Sequence, residues 1–327
     1  MRSVLALAVV VACSGKTERP SGGAGSAPPI VAATTKATCA PLAFAESTPV
    51  PEASGAAWMT IDDKLSLVVI ADSGNDGAYG ILDPETGTTG EQGELPLFDS
   101  ESTDLEGAAT RDGKLVVLTS AGWIREYTRT EHGFALAGEP YPLGPVDMKN
   151  HNARDDELAG SGMVCSGKKS NCGRNYEGLC LAPDPKGAHC VGFAAAKADG
   201  KLYCLFVRDG KLTVDHDQAI AITKPGALAD CAYDYKSGER RTRSSAEGDA
   251  KSIDASSLYA GSNAFDLSRV YRIAGWQDPA TAKVSIVDEL GIGFPETLAV
   301  RGDIFYRMSD TGGAPSMLAK YRCTPAP

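Results

Sequence analysis

The sequence has no Cys-x-x-Cys pair, and none of its four histidines stands at ligand spacing from a cysteine. Both absences argue against a structural zinc site. There is no Gly-x-Ser-x-Gly phrase, so the nucleophile elbow of a serine hydrolase is excluded. Positive charge is in the minority: 32 Lys and Arg stand against 42 Asp and Glu, a net charge of -10. That balance excludes nucleic-acid binding through a general basic field. The tight basic cluster of Arg240, Arg241 and Arg243 reads as a solvated loop. No apolar run is long enough to span a bilayer, and sustained helical periodicity is scarce. At 327 residues, the chain is nonetheless long enough to bury a substantial core.

The N-terminus reads as an address. Arg2 supplies positive charge, Val4 to Ala12 forms a short apolar run, and Cys13 follows it. That is the pattern of a signal peptide over 1–12. Small and apolar residues ahead of a cysteine resemble the bacterial lipobox, and the resemblance implies that Cys13 carries lipid as the first mature residue. An ordinary secretory signal, with Cys13 incidental, is the alternative. Residues 13–38 are rich in Ser, Gly, Pro, Ala and Thr and read as a disordered tether. The folded part is expected over 39–327, exported and held at the cell envelope on the periplasmic or outer-membrane side.

Eight cysteines follow Cys13: Cys39, Cys165, Cys172, Cys180, Cys190, Cys204, Cys231 and Cys323. An even number in an exported chain points to disulfides. Pairing Cys39 with Cys323 would tie the first folded residue to the last, and pairing Cys165 with Cys172 would staple a polar loop. The pairing of the other four is open.

Short apolar runs separated by Gly, Asp, Asn and Pro dominate the rest, and one phrase recurs. It is Tyr176-Glu-Gly-Leu in its fullest form, Asp104-Leu-Glu-Gly-Ala in another, Ala246-Glu-Gly in a third, Phe294-Pro-Glu-Thr in a looser one, and Pro51-Glu-Ala-Ser-Gly in the weakest. Each full version leads through a strand and a tight turn into an apolar strand. A small or acidic residue near Gly and an amphipathic strand come next. Repeated antiparallel units of this kind, each leaving a face to be covered, predict an all-β fold: a β-propeller of five or six blades. The sixth is expected within 213–245. A β-sandwich is the alternative. The polar stretch around 138–174 reads as an insertion between blades, with a short helix near Asp155 to Leu158.

Asn175-Tyr-Glu-Gly-Leu-Cys-Leu-Ala-Pro-Asp, followed by Asp199-Gly-Lys-Leu-Tyr-Cys-Leu-Phe, is similar to the phytase-esterase-like β-propeller family of exported bacterial proteins. Asp104-Leu-Glu-Gly-Ala resembles another of that family's blades, and the likeness extends over about 104–310. It implies a propeller. Phytase activity would also require dense acidic clusters for calcium and a basic phosphate-binding face, which the sequence does not display, so the activity does not follow from the resemblance.

The chemistry turns on the repeated glutamates. If Glu106, Glu177, Glu247 and Glu296 each begin an innermost strand, their carboxylates converge at one mouth of the central channel. Such a group recruits a cation or shifts its own titration. Ca²⁺, which takes six to eight oxygen ligands, suits it, and the turns at Asp72 and Asp310 could add ligands. The competing reading is that each glutamate accepts backbone N–H groups between blades, with no metal. Of the histidines (His132, His151, His189, His216), His151 in the polar insertion is the best placed for catalysis. Trp123, Tyr141, Tyr176 and Trp276 are candidates for lining a ligand face or for blade packing. Arg125, Arg174 and Arg272 are the candidates for gripping phosphate. The sequence thus favours a lipid-anchored envelope propeller that binds a protein, glycan or small molecule. A Ca²⁺-dependent phosphoesterase is the alternative.

Overall fold

The computed structural model describes residues 37–97, 103–147, 163–165, 172–185, 187–235, 257–263, 268–313 and 315–324. Residues 1–36 lie outside them, and with them the expected signal peptide, Cys13 and the expected tether up to its last two residues, of which Thr38 begins the first strand. The chain opens with two strands, β1 (Thr38–Pro41) and β2 (Ser47–Pro51). The first blade follows as β3 (Ala53–Ile61), β4 (Lys64–Ala71), β5 (Ala78–Leu82) and β6 (Thr89–Glu94). The second is β7 (Leu105–Arg111), β8 (Lys114–Thr119), β9 (Trp123–Thr130) and β10 (Gly133–Leu136), with β11 (Tyr141–Pro142) also paired to β9. A two-residue parallel pair comes next, β12 (Val146–Asp147) with β13 (Val164–Cys165).

The third blade is β14 (Tyr176–Leu181), β15 (Gly192–Ala196), β16 (Lys201–Arg208) and β17 (Lys211–Ala221). The fourth is β18 (Leu228–Tyr233), β19 (Leu258–Ser262), β20 (Arg269–Ala274) and β21 (Lys283–Glu289). The last is β22 (Phe294–Arg301), β23 (Ile304–Asp310) and β24 (Pro315–Thr324), completed on its outer side by β1 and β2. The fold is therefore an all-β propeller of five antiparallel blades, not the sandwich that the sequence left open.

The region 213–245 does not hold a sixth blade among the described residues. It is divided: β17 is the outermost strand of the third blade and β18 the innermost of the fourth. The apolar run Ala229 to Tyr235, which suggests the extra unit, is a strand, but it is β18 of the fourth blade, whose inner strand lacks Glu-Gly. Glu247 lies outside the described residues, and the fourth blade's inner strand is β18, so the Ala246-Glu-Gly phrase does not begin it. Of the insertion, β11 and β12–β13 are described, while His151 and the segment at Asp155 to Leu158 are not.

The pattern of the second strand of a blade follows from what covers it. In β4, Val68 and Ile70 pack with the second blade, while Leu67 and Val69 pack with the last. In β8, Leu115 and Val117 face the first blade, and Val116 and Leu118 face the third. Both faces are dry, so these strands read as unbroken apolar runs rather than alternating ones. Two further apolar clusters fill the third–fourth and fourth–fifth interfaces. Each blade is a sheet that could not bury either face alone, and the ring supplies both covers.

Four disulfides are formed, two of them the pairs expected from the sequence. Cys39–Cys323 lies directly across the β1–β24 register, sealing the last blade. Cys165–Cys172 lies within the stretch read as an insertion. Cys180–Cys231 joins the inner strands of the third and fourth blades, and Cys190–Cys204 ties the start of β15 to β16. Disulfides of this number are consistent with an exported protein. The sealing bond spans a sequence separation of 284, the loop bond one of 7. Loop-closure entropy then ranks them. Replacing Cys39 and Cys323 together by Ser is expected to lower unfolding stability by about 3–5 kcal/mol, against about 2 kcal/mol for Cys165 and Cys172. Denaturant melts of the two double variants check the order.

Candidate functional site

All five inner strands share one backbone device. The pairing between the first and second strands of every blade slips by one residue near the start of the inner strand. The extra residue is Ser54, Glu106, Glu177, Ala229 and Glu296 in turn. Such a bulge re-aims the residue it contains. The recurrent Glu-Gly phrase is thus a bulge signature, and the weakest version of it in the sequence, Ser54-Gly55, is equivalent to Glu106-Gly107.

The residue after the bulge faces the next blade. A Cβ on Gly107 would sit 2.2 Å from the Leu179 nitrogen, and one on Gly55 2.4 Å from the Glu106 carbonyl oxygen. Glycine is required there because the inner strands touch backbone to backbone. The fourth and fifth blades use side chains instead. Asp230 Oδ2 accepts the Leu298 N–H at 2.7 Å, and Thr297 Oγ1 donates to the Ala53 carbonyl at 2.9 Å. Among the described residues, carboxylates that accept backbone N–H groups between blades include Asp230, Asp234 (from Gly302 at 2.6 Å) and Asp288 (from Cys39 at 3.2 Å), while the contacts of Glu106, Glu177 and Glu296 are to side chains.

A second set lies at the ends of the second strands. These run antiparallel to the inner strands, so they finish at the face where the inner strands begin. The equivalent residues are Asp72, Ser120, Lys197, Asn263 and Asp310. In four blades the residue's N–H donates to the carbonyl of the residue just before the inner strand's first pair: Glu52, Asp104, Asn175 and Ala227. Repeating geometry thus places unlike side chains round one mouth.

Their contacts interlock. Glu106 accepts the Ser54 hydroxyl, and Asp104 accepts that of Ser120. Lys197 Nζ reaches Glu177 Oε2 at 2.9 Å and Glu296 Oε1 at 3.9 Å. Asn263 Nδ2 donates to Glu296 Oε1 at 3.0 Å. Oxygens of Asp72, Asp104 and Glu106 all lie within 4.8 Å of one another. Glu177 is 2% exposed, and its Oε1 has no partner.

Burial and mutual repulsion act on this group. Burial, and then the neighbouring Asp104 carboxyl, push Asp72 up to about 9. Burial and then Glu177 raise Glu106 well above the carboxylate range. Glu177 is raised by burial to about 8, with Lys197 opposing the shift, and burial raises Glu296 as well. Burial disfavours the charge on Lys197, but Glu177 beside it outweighs this and holds the ammonium above its ordinary value. Beneath the ring, fully buried Arg307 donates to the Ser262 and Pro295 carbonyls, its own value lowered by burial to about 10.

Of the expected ligands, Asp72, Glu106, Glu177 and Glu296 are brought together. Asp310 belongs to the same rim, where it raises Glu296 and accepts the Gly312 N–H at 2.7 Å. Asp104, Ser54, Ser120, Lys197 and Asn263 were missed. Asp104 stands inside a quoted phrase, and Ser120 ends the same strand–turn pattern as Asp72. Lys197 and Asn263 carry no such signal, because only the ring shows them equivalent to acids.

The other candidates do not converge here. Tyr141, Tyr176 and Trp276 are buried in blade packing, and Trp123 donates its indole N–H to the Cys165 carbonyl at 2.8 Å. Arg125 is buried within the second blade. Arg174 lies over the Tyr203 ring at 3.6 Å, beside Asp199 and His216. Arg272 is exposed near the start of β19, at the opposite face. His189 pairs with Asp215 at 2.9 Å on an outer strand, and His132 lies in an exposed turn.

No protein-family model matches the chain, and no curated protein matches it. Among solved structures, it is similar to the PQQ-bound aldose sugar dehydrogenase of Streptomyces coelicolor (15% identity, 91% of this chain, 100% of that chain, TM-score 0.48). It is also similar to glutaminyl cyclase of Myxococcus xanthus (13% identity, 89% of this chain, 99% of that chain, TM-score 0.48). At these identities nothing about activity passes from either protein to this chain.

The raised carboxyls make stability depend on pH. Unfolded carboxyls titrate near ~4, whereas Asp72 and Glu177 do so at about 9 and about 8 in the fold. Between those limits the folded state binds more protons than the unfolded one, so stability is highest below the window and falls as pH rises through it. Without added cations, the melting temperature is expected to drop by roughly 5 °C between about pH 5 and pH 9. Asp72→Asn should flatten the slope and melt higher than wild type at the alkaline end. A flat wild-type profile would rule out raised carboxyls at the mouth.

Proposed function

We propose that this chain is a Ca²⁺-dependent binding module, exported and tethered to the cell envelope through lipid on Cys13, with its ligand held at the carboxyl-rich mouth of the channel. The observation that carries the reading is the convergence of Asp72, Asp104 and Glu106, with oxygens within 4.8 Å, beside Glu177 and Glu296. All the donors are hard oxygens, the set that suits Ca²⁺ rather than a soft metal. The Ser54 and Ser120 hydroxyls that now bond Glu106 and Asp104 would orient those carboxylates.

A bound Ca²⁺ would supply positive charge to the ring and open positions for oxygen atoms of a protein, glycan or small-molecule ligand. Lys197 tethers Glu177 and Glu296 on the far side, and Asp72, Asp104 and Glu106 form the acidic edge across from it. Binding is favoured over phosphate hydrolysis because Arg125, Arg174 and Arg272 lie on three separate blades, and Lys197 is engaged by two glutamates. The likeness of the Glu-Gly phrases to the phytase-esterase-like family supports the propeller ancestry of this mouth without its activity.

Thermal unfolding with and without Ca²⁺ at pH 8 tests the reading. Saturating Ca²⁺, at about a hundredfold Kd, should add about 2.7 kcal/mol of stability and raise the melting temperature by roughly 5 °C. Glu106→Gln and Asp104→Asn should each abolish the rise. A wild-type melting temperature unmoved by millimolar Ca²⁺ would overturn it.

A further inference from the structure

The channel has a second half with opposite chemistry. Below the bulges, the inner strands of all five blades enclose a cavity of about 510 Å³, within the roughly 300–1,000 Å³ of small-molecule sites. It extends to the turns at Asp112-Gly113 and to Tyr235, at the face opposite the carboxyl mouth. Interiors are otherwise packed with few voids larger than a water. Here small residues keep the space open: Ala56, Ala108, Ala232 and Ala299 come from four different blades, and the third contributes Leu179 and Cys180. Among the lining residues Asp112 alone carries a charge, and it sits in an exposed turn beside Arg111.

The wall is also rigid. Cys180–Cys231 locks two of the five strands together. Trp58 donates its indole N–H to the Val300 carbonyl at 3.1 Å, which ties the first blade to the last. Its ring lies 5.7 Å from that of Tyr235, tilted by 37°. Tyr233, another lining residue, has a buried hydroxyl with no hydrogen-bond partner. A cavity lined more by apolar than by polar surface, with two aromatic rings at one end and no buried charge, favours neutral molecules over ions, because little there would replace an ion's hydration. It favours an apolar ring system, which loses little on leaving water and stacks on aromatic faces.

We infer that this cavity binds one uncharged, ring-containing apolar molecule, aromatic or alicyclic, with no more than a hydroxyl or carbonyl group. The site is independent of the carboxyl mouth and of any cation there.

Fluorescence titration with N-phenyl-1-naphthylamine, a neutral aromatic probe, tests this on the full chain carrying Cys13→Ser, so that no attached lipid dissolves the probe. One saturable site per chain is expected, with the same affinity in Glu106→Gln and with or without Ca²⁺. Ala56→Phe and Ala232→Leu, which fill the cavity from different blades, should each weaken the probe by at least about tenfold. Linear, unsaturable uptake overturns the inference, as does wild-type affinity in a filled variant that melts like wild type. If both filled variants melt early, Trp58→Phe decides. Loss of most of the tryptophan-sensitised probe emission supports the site, and unchanged sensitised emission overturns it.

Discussion

The bulge near the start of every inner strand is the constraint on which the rest depends. It inserts one residue without breaking the ladder, and in doing so separates two jobs that a regular strand would have to share. The inserted residue turns toward the mouth, while the one after it meets the neighbouring blade. Where that second residue is Gly55, Gly107 or Gly178, the strands approach backbone to backbone. Where it is Asp230 or Thr297, a side-chain hydrogen bond takes over. Ring closure and the composition of the mouth are therefore set by adjacent residues, and neither can drift without disturbing the other.

The mouth itself is asymmetric. Fivefold-related positions carry Ser54, Glu106, Glu177, Ala229 and Glu296 in one tier, and Asp72, Ser120, Lys197, Asn263 and Asp310 in the next. Lys197 and Asn263 restrain Glu177 and Glu296 on the side of the third to fifth blades. In the first two blades the Ser54 and Ser120 hydroxyls bond Glu106 and Asp104, oxygens of Asp72, Asp104 and Glu106 lie within 4.8 Å of one another, and Glu177 is the carboxyl that raises Glu106 most.

The propeller was legible because blade strands covered on both sides must be apolar throughout, and because tight turns and Glu-Gly bulges leave fixed spacings. The convergence of Glu106, Glu177 and Glu296 followed from the same phrase. The fourth blade's inner strand is readable as a strand over Ala229 to Tyr235, but with Ala229-Asp230 in place of Glu-Gly it reads as part of an extra blade. In the first blade the eye falls on Glu52, whereas the bulge residue is Ser54. Lys197 and Asn263 could not be read at all, since their partners lie in other strands and blades. Of the two readings left open for Tyr141, Tyr176 and Trp276, the structure shows the packing one, and Arg125, Arg174 and Arg272 lie apart, because type alone does not say whether a side chain faces a channel or the next blade.

The first and last described strands meet within the last blade, where β1 pairs with β24 and Cys39 bonds Cys323 at the second residue pair of the ladder. This has a mechanical side. Tension applied to the chain ahead of Thr38 acts on the strand that closes the ring, and hydrogen bonds alone would give way one pair at a time, like an opening zipper. The disulfide stops that peeling after a single pair and passes the load to β24, whose neighbour β23 is paired along most of its length. A propeller held by its first strand can thus bear a sustained pull without opening its ring.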